Sequence, residues 1–336
     1  MKKILFIATA AAMIAGCAKV TTVDTGEPQE IAFEAYTNVS TKAPIDGTAF
    51  LETWSMRVHA IYDGVSAGKE YFDAAGVVFA KDGDNWAADP AQYWPTTGTL
   101  TFNAIAPVSP TSDVVFLTYV SPDTDFFDYD GSSANVTSVK ASMADNSTTQ
   151  TDVLVARTKV SAKTSDAVSV VFDHALAQVA VKAGVDAEGL QIKVKSITLK
   201  GSYQSGTLSA DPDAEEKVTF TWSDQGNQND ITIYNNPENS TTLPTTPAEI
   251  VDAKGVLVVP NTVGEDVELE LVYDVKYNGV TMNAVTATIP LQSEFASSWV
   301  AGTKYIYSLT FTSPQEILIS PSVGIWAEKE VTVPGL

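Results

Sequence analysis

The 336-residue sequence predicts an all-β protein, and three observations carry that prediction. From Val267 to Tyr277 every odd position is apolar or aromatic and nearly every even one is charged. Asn278-Gly279 follows, the pair favoured in two-residue type I′ turns, and Val280-Thr281-Met282-Asn283-Ala284 sets off again, so the stretch reads as a β-hairpin with one wet face. Similar short alternating runs recur along the chain, separated by Gly, Pro, Asn, Asp and Ser, as in a β-sandwich or barrel. A helical apolar stripe is confined to one short window, residues 173–180.

The chain opens with Lys2-Lys3 and the uncharged apolar run Ile4 to Ala15. That run is too short to span a bilayer with its own flanks and reads as an export signal. It ends Ile14-Ala15-Gly16-Cys17, the pattern of a bacterial lipobox: a branched apolar residue, two small ones that fit a peptidase pocket, then a thiol to carry lipid. Cys17 is the only cysteine, so no internal disulfide exists and the expected role of that thiol is attachment to a membrane through an acyl chain. Residues 1–16 are thus expected to be a lipoprotein signal peptide and 17–29 a polar tether.

Glu30 to Tyr36 alternates, with Ile31, Phe33 and Ala35 on one face, and reads as a half-buried strand. Thr37 to Pro44 is polar and loop-like and holds one basic residue, Lys42, ahead of Ala43. Further strands are expected at Met56 to Tyr62, Val77 to Ala80, Leu100 to Ala106, Val114 to Val120 and Val153 to Ala156. A polar segment, Thr158 to Ala167, then precedes Val168 to Ala183, in which Val168, Val170 and Phe172 alternate, as do Val179, Val181 and Ala183. This predicts a first domain over 30–167 and a second over 168–336, which suits the chain length. Tyr305 to Phe311 is a late strand. Ile325 to Val333 alternates weakly and lies close enough to the terminus for an edge strand able to pair elsewhere.

With 41 acidic against 20 basic residues the formal charge is -21, which repels phosphate backbones and excludes nucleic acid as a partner. His59 and His174 lie far apart, and no zinc-type spacing, cofactor motif or nucleophile motif accompanies them. His174, in Phe172-Asp173-His174-Ala175-Leu176, reads as a packed structural ring at the domain junction. Asp123, Asp125, Asp128 and Asp130 before Gly131 do not fit an EF-hand loop and read as a solvated acidic loop, as do Asp211, Asp213, Glu215 and Glu216. Tyr93-Trp94-Pro95, with Trp86 nearby, reads as core and turn more readily than as a sugar-stacking platform. Neither a catalytic site nor a metal or cofactor is expected.

Several stretches together resemble the fimbrillin family, the pilin-like lipoproteins of Bacteroidales that build type V pili. They are Tyr93-Trp94-Pro95 with Leu100 to Pro107; Asp152 to Ala156; Phe172 to Leu176 leading into Val179-Ala180-Val181; Gly302 to Leu309; and Ile325-Trp326. The resemblance implies two tandem, stacked β-sandwich domains of transthyretin-like kind. It also implies a structural fimbrial subunit, stalk or tip, at the cell outer membrane, with other fimbrial subunits as partners. Carried onto this chain, Cys17 bears the lipid and a trypsin-like protease cuts between Lys42 and Ala43, where the commoner family pattern has arginine before the cut. The strand of Ile31, Phe33 and Ala35 then leaves, and a strand of a neighbouring subunit replaces it; the expected donor is the C-terminal run with Ile325, Trp326, Val331 and Val333, because a terminus detaches without disturbing a loop. The alternative is an uncut, lipid-anchored surface adhesin that binds a host protein or glycan.

Overall fold

The computed structural model describes residues 28–37, 55–63, 69–72, 76–83, 85–108, 117–119, 126–129, 152, 154–161, 163–212, 218–238, 240–250, 255–292 and 297–325. Among them there is no helix. The expected Met56 to Tyr62 run is β2 (Ser55–Asp63), Leu100 to Ala106 lies in β6 (Thr99–Val108), and Tyr305 to Phe311 lies in β19 (Thr303–Phe311). Residues 173–180, the one window with a helical stripe, are instead the end of β10 (Val168–His174) and the start of β11 (Ala177–Val185).

Most buried apolar side chains fall in two cores, one drawn from residues 31–172 and the other from 177–311. Around the first core lie β1 (Phe33–Thr37), β2, β3 (Lys69–Glu70), β4 (Val77–Asp82), β5 (Asn85–Ala88), β6, β9 (Leu154–Val160) and β10. Their pairing order is β3-β2-β4-β5-β1-β10-β9-β6, and β6 also pairs β2. Seven strands therefore close into a ring, with β3 as an extra strip beside β2. Closure removes the sheet edges that a free-standing layer would leave open.

β10 belongs to this ring. Val168, Val170 and Phe172 are buried in the first core, so the expected second-domain start at Val168 falls inside a first-core strand. The chain passes between cores at Ala175-Leu176, where Trp222 Nε1 donates to the Ala175 carbonyl at 2.8 Å and Gly302 N–H donates to that of Leu176 at 2.8 Å.

The second core lies between two sheets. One runs β15 (Ala248–Glu249), β11, β19, β20 (Ile317–Ile325), with β16 (Val256–Val258) also on β11. The other runs β18 (Val280–Pro290), β17 (Glu268–Tyr277), β12 (Leu190–Pro212), β8 (Phe126–Tyr129), β7 (Leu117–Tyr119), with β13 (Val218–Asn235) and β14 (Thr241–Thr242) also on β12. The β17–β18 hairpin turns at Asn278-Gly279, both with positive φ (48° and 82°), as a type I′ turn requires. In β12 the buried apolar residues among the described side chains are Leu190, Ile192 and Val194, then Ile197 and Leu199. A register shift between Val194 and Ser196 accounts for the change of parity: one bulged residue turns each following side chain to the opposite face.

Candidate functional site

The first strand and the slot that holds it form the candidate site. The alternation of Glu30 to Tyr36 dictates which side chains enter the core, and Ile31, Phe33 and Ala35 are all buried. The strand has a different partner at each end. Near its start, Trp94 N–H donates to the Gln29 carbonyl at 2.8 Å, Ile31 N–H donates to that of Gln92 at 2.7 Å, and Glu30 bridges Tyr93 antiparallel. Phe33 lies opposite Trp86 in β5. From there Phe33 to Thr37 runs parallel to Val168 to Phe172 without a register shift, and Val168 N–H donates to the Ala32 carbonyl at 2.8 Å.

Phe33 is the centre of the slot. Its ring meets Phe79 edge-on at 4.8 Å and Phe102 edge-on at 5.0 Å. Phe72 braces both of those rings, at 6.0 and 6.2 Å, and Trp94 stands edge-on to Phe102 at 5.8 Å. Such pairs contribute about 0.5–1.5 kcal/mol each beyond area burial. Tyr71 fixes the loop beside the strand by donating from its hydroxyl to the Tyr93 carbonyl at 2.8 Å.

Taking the strand out would break the ring at β1. The backbone of residues 168–172 would lose its parallel partner, and Trp86 and residues 92–94 their antiparallel one. The arrangement can therefore bind an extended peptide strand with large apolar side chains at alternate positions, by backbone pairing on two sides and by burial.

Other expected site residues fall elsewhere. Cys17, Lys42, Ala43, Trp326, Val331 and Val333 lie outside the described residues, as do Asp123, Asp125, Asp130, Asp213, Glu215 and Glu216. Asp128 and Asp211 lie in β8 and β12. Ile325 is the last residue of β20, opposite Thr303. Trp86 and Trp94 are core residues, whereas Tyr93 is 47% exposed. His174 is buried beside the junction, and its Nδ1 bonds the buried Asp152 carboxylate. Sequence spacing could not pair these two, because β9 and β10 bring them together across the sheet. Among the described residues, no three His, Cys, Asp or Glu side chains group as metal ligands would.

A polar row crosses the outer side of the ring: His59 lies opposite Asn103, and Asn103 opposite Arg157. Gly76, at φ 72°, packs over it, and a Cβ there would stand 2.8 Å from His59 Nε2. Burial, and then the nearby Arg57 charge, push the His59 imidazole down to about 4 from 6.5. Between those values the unfolded chain takes up a proton that the folded one refuses. The contribution of His59 to stability is therefore full above pH 6.5 and falls, by on the order of 3 kcal/mol, as pH drops toward 4. Urea unfolding at pH 7 and pH 4.5 should show a larger loss for the parent than for His59→Gln; equal losses would remove His59 from the acid response.

A family model described as fimbrillin-like matches residues 41–326, and the chain belongs to that family. The family implies a cell-surface fimbrial subunit or adhesion role. Among solved structures, the fold is similar to a fimbrial protein from Bacteroides vulgatus, 16% identical, with a TM-score of 0.54 and coverage of 89% of this chain and 100% of that one. It is also similar to a candidate cell adhesion protein from Bacteroides uniformis, 14% identical, TM-score 0.50, covering 89% of this chain and 98% of that one. At such identities the likeness concerns the fold alone. No curated protein matches the sequence.

Proposed function

We propose that the chain is a structural subunit, stalk or tip, of a cell-surface fimbrium, exported as a lipoprotein and assembled by exchange of its first strand. One observation carries this reading: β1 is a buried, regularly paired member of the first ring that lies at the start of the described chain. In the second core, β11 likewise pairs parallel with a late strand, β19, but it is joined to the chain at both ends. A break between β1 and β2 leaves only β1 held by non-covalent contacts.

On this reading Cys17 carries the lipid that tethers the precursor to the outer membrane. A protease cuts between Lys42 and Ala43, in a segment whose sequence reads as a loop. Ile31, Phe33 and Ala35 leave together, and the C-terminal strand of another subunit, carrying Ile325, Trp326, Val331 and Val333, takes their places. Ile325, the first residue of that run, ends β20, which pairs on one side only among the described residues, and a strand paired on one side detaches by breaking one ladder. Head-to-tail pairing of this kind does not close on itself, so it grows fibres. We place two tandem transthyretin-like sandwich domains around the two cores, the layers of the first being joined at both seams, and the crossing at Ala175-Leu176.

The mature N-terminus on cells tests the reading. Ala43 as the first residue supports a processed fimbrial subunit. A lipid-bearing Cys17 throughout would instead support an uncut, anchored adhesin for a host protein or glycan. Export has its own check: Cys17→Ser should abolish labelling by radioactive fatty acid, and normal labelling of that variant would sink the lipid assignment.

A further inference from the structure

Among the described residues β13, β18 and β20 each pair on one side only, and are long edge strands of the second-core sheets. Unpaired edges are templates for pairing with another chain. The direction of each backbone amide follows from the ladders. Beyond the end of β19, Thr312 N–H donates to the Glu316 carbonyl at 3.1 Å, so in this antiparallel pair the even residues are the hydrogen-bonded ones. Ile317, Ile319, Pro321, Val323 and Ile325 therefore turn their backbone groups outward. Pro321, in the middle, has no N–H to offer.

β18 is similar. Leu291 N–H donates to the Val267 carbonyl at 2.9 Å, which sets Val285, Ala287 and Ile289 toward β17 and Thr286, Thr288 and Pro290 outward. Earlier in the strand the register shifts at a bulge. There Ala284 takes φ 53°, and its amide is occupied by Asp274 Oδ1 at 2.8 Å. Lys195 Nζ holds the same oxygen at 2.9 Å. The bulge divides the strand into two regular stretches, Val280 to Met282 and Val285 to Pro290, and the longer one ends at the proline. β13 loses register with β12 at three places. β1, by contrast, pairs with β10 without a shift.

We infer that the outward-facing Pro290 and Pro321, with the Ala284 bulge, close the β18 and β20 edges to lateral strand pairing with a second copy of this chain. Strand addition is thereby directed to the regular slot of β1. The second statement rests on the strand-exchange reading; the first does not.

The test uses the uncut chain, with β1 in its slot throughout, so that its outcome is independent of strand exchange. Sedimentation velocity over a concentration series is compared for the parent, Pro290→Thr, Pro321→Thr and the double variant. The parent should stay monomeric. Each single variant should self-associate, and the double variant should do so at about fivefold lower concentration, since one further edge hydrogen bond contributes about 1 kcal/mol. Ser320→Thr is the control: it raises β propensity on the same strand, but its amide faces β19. Thermal unfolding shows which variants fold, and because the two prolines lie on different sheets either one carries the test alone. Monomeric folded variants, a parent that already associates, or equal association by Ser320→Thr would each overturn the inference.

Discussion

Replacing Phe33 with alanine is expected to destabilise the first core by about 3–5 kcal/mol, the usual range for deleting a fully buried phenylalanine. The large end of that range applies because Phe33 is fully buried and two T-shaped ring contacts vanish with it. Phe72 braces Phe79 and Phe102 from the other side, which restricts their collapse into the gap. Urea unfolding monitored by protein fluorescence, with Trp86 and Trp94 in the first core and Trp299 in the second, is the measurement. An early transition should appear for the first core while the second holds its midpoint. A loss below about 1 kcal/mol would mean that the slot adjusts to the absence of Phe33 and that the strand is not anchored there.

The second large effect concerns exchange. A synthetic peptide of residues 29–37, in excess over the chain cut after Lys42, is expected to suppress assembly, because it competes for the slot with the arriving donor. It carries the inward Ile31, Phe33 and Ala35 and the backbone groups that meet residues 92–94 and 168–172. The same peptide with Phe33→Ala should need at least about a hundredfold higher concentration, since about 3 kcal/mol corresponds to two decades in affinity. Equal potency of the two peptides would show that inhibition does not pass through the aromatic slot.

Much of the fold was legible because period-two patterning survives wherever one face of a strand is buried. Val267 to Tyr277 with Asn278-Gly279 read directly as the β17–β18 hairpin. Glu30 to Tyr36 revealed its inward face, though not its neighbours: parallel pairing with Val168 to Phe172 is a contact across most of the first ring's sequence, and no local pattern encodes it. The closure of that ring through β2 and β6 was hidden for the same reason.

Three features that alternation did not reveal have local causes. The second-domain start was expected at Val168 because alternation restarts there after a polar stretch, yet alternation marks a strand and not the core it joins. β12 was passed over because the bulge after Val194 flips its buried parity, so two short patterns stand where one long strand runs. β20 is not among the expected strands, and Pro321 interrupts its pattern, although proline is admissible on an edge whose amide faces outward. At the site, the apolar pattern exposed Ile31, Phe33 and Ala35. The slot around them depends on Phe72, Phe79, Trp94 and Phe102, which converge from four separate stretches.

Size-exclusion chromatography after limited trypsin treatment tests strand exchange most directly, comparing the full chain with one lacking residues 326–336. Cleavage should occur after Lys42 before it reaches lysines within strands, such as Lys193 in β12 and Lys276 in β17, because a protease needs an extended, locally released substrate. The uncut chain should elute as a monomer, the cut full chain should form polymers, and the cut truncated chain should remain monomeric. Polymers from the truncated chain would remove the C-terminal donor, and monomers from both, with Lys42 cut, would contradict assembly by exchange of the first strand.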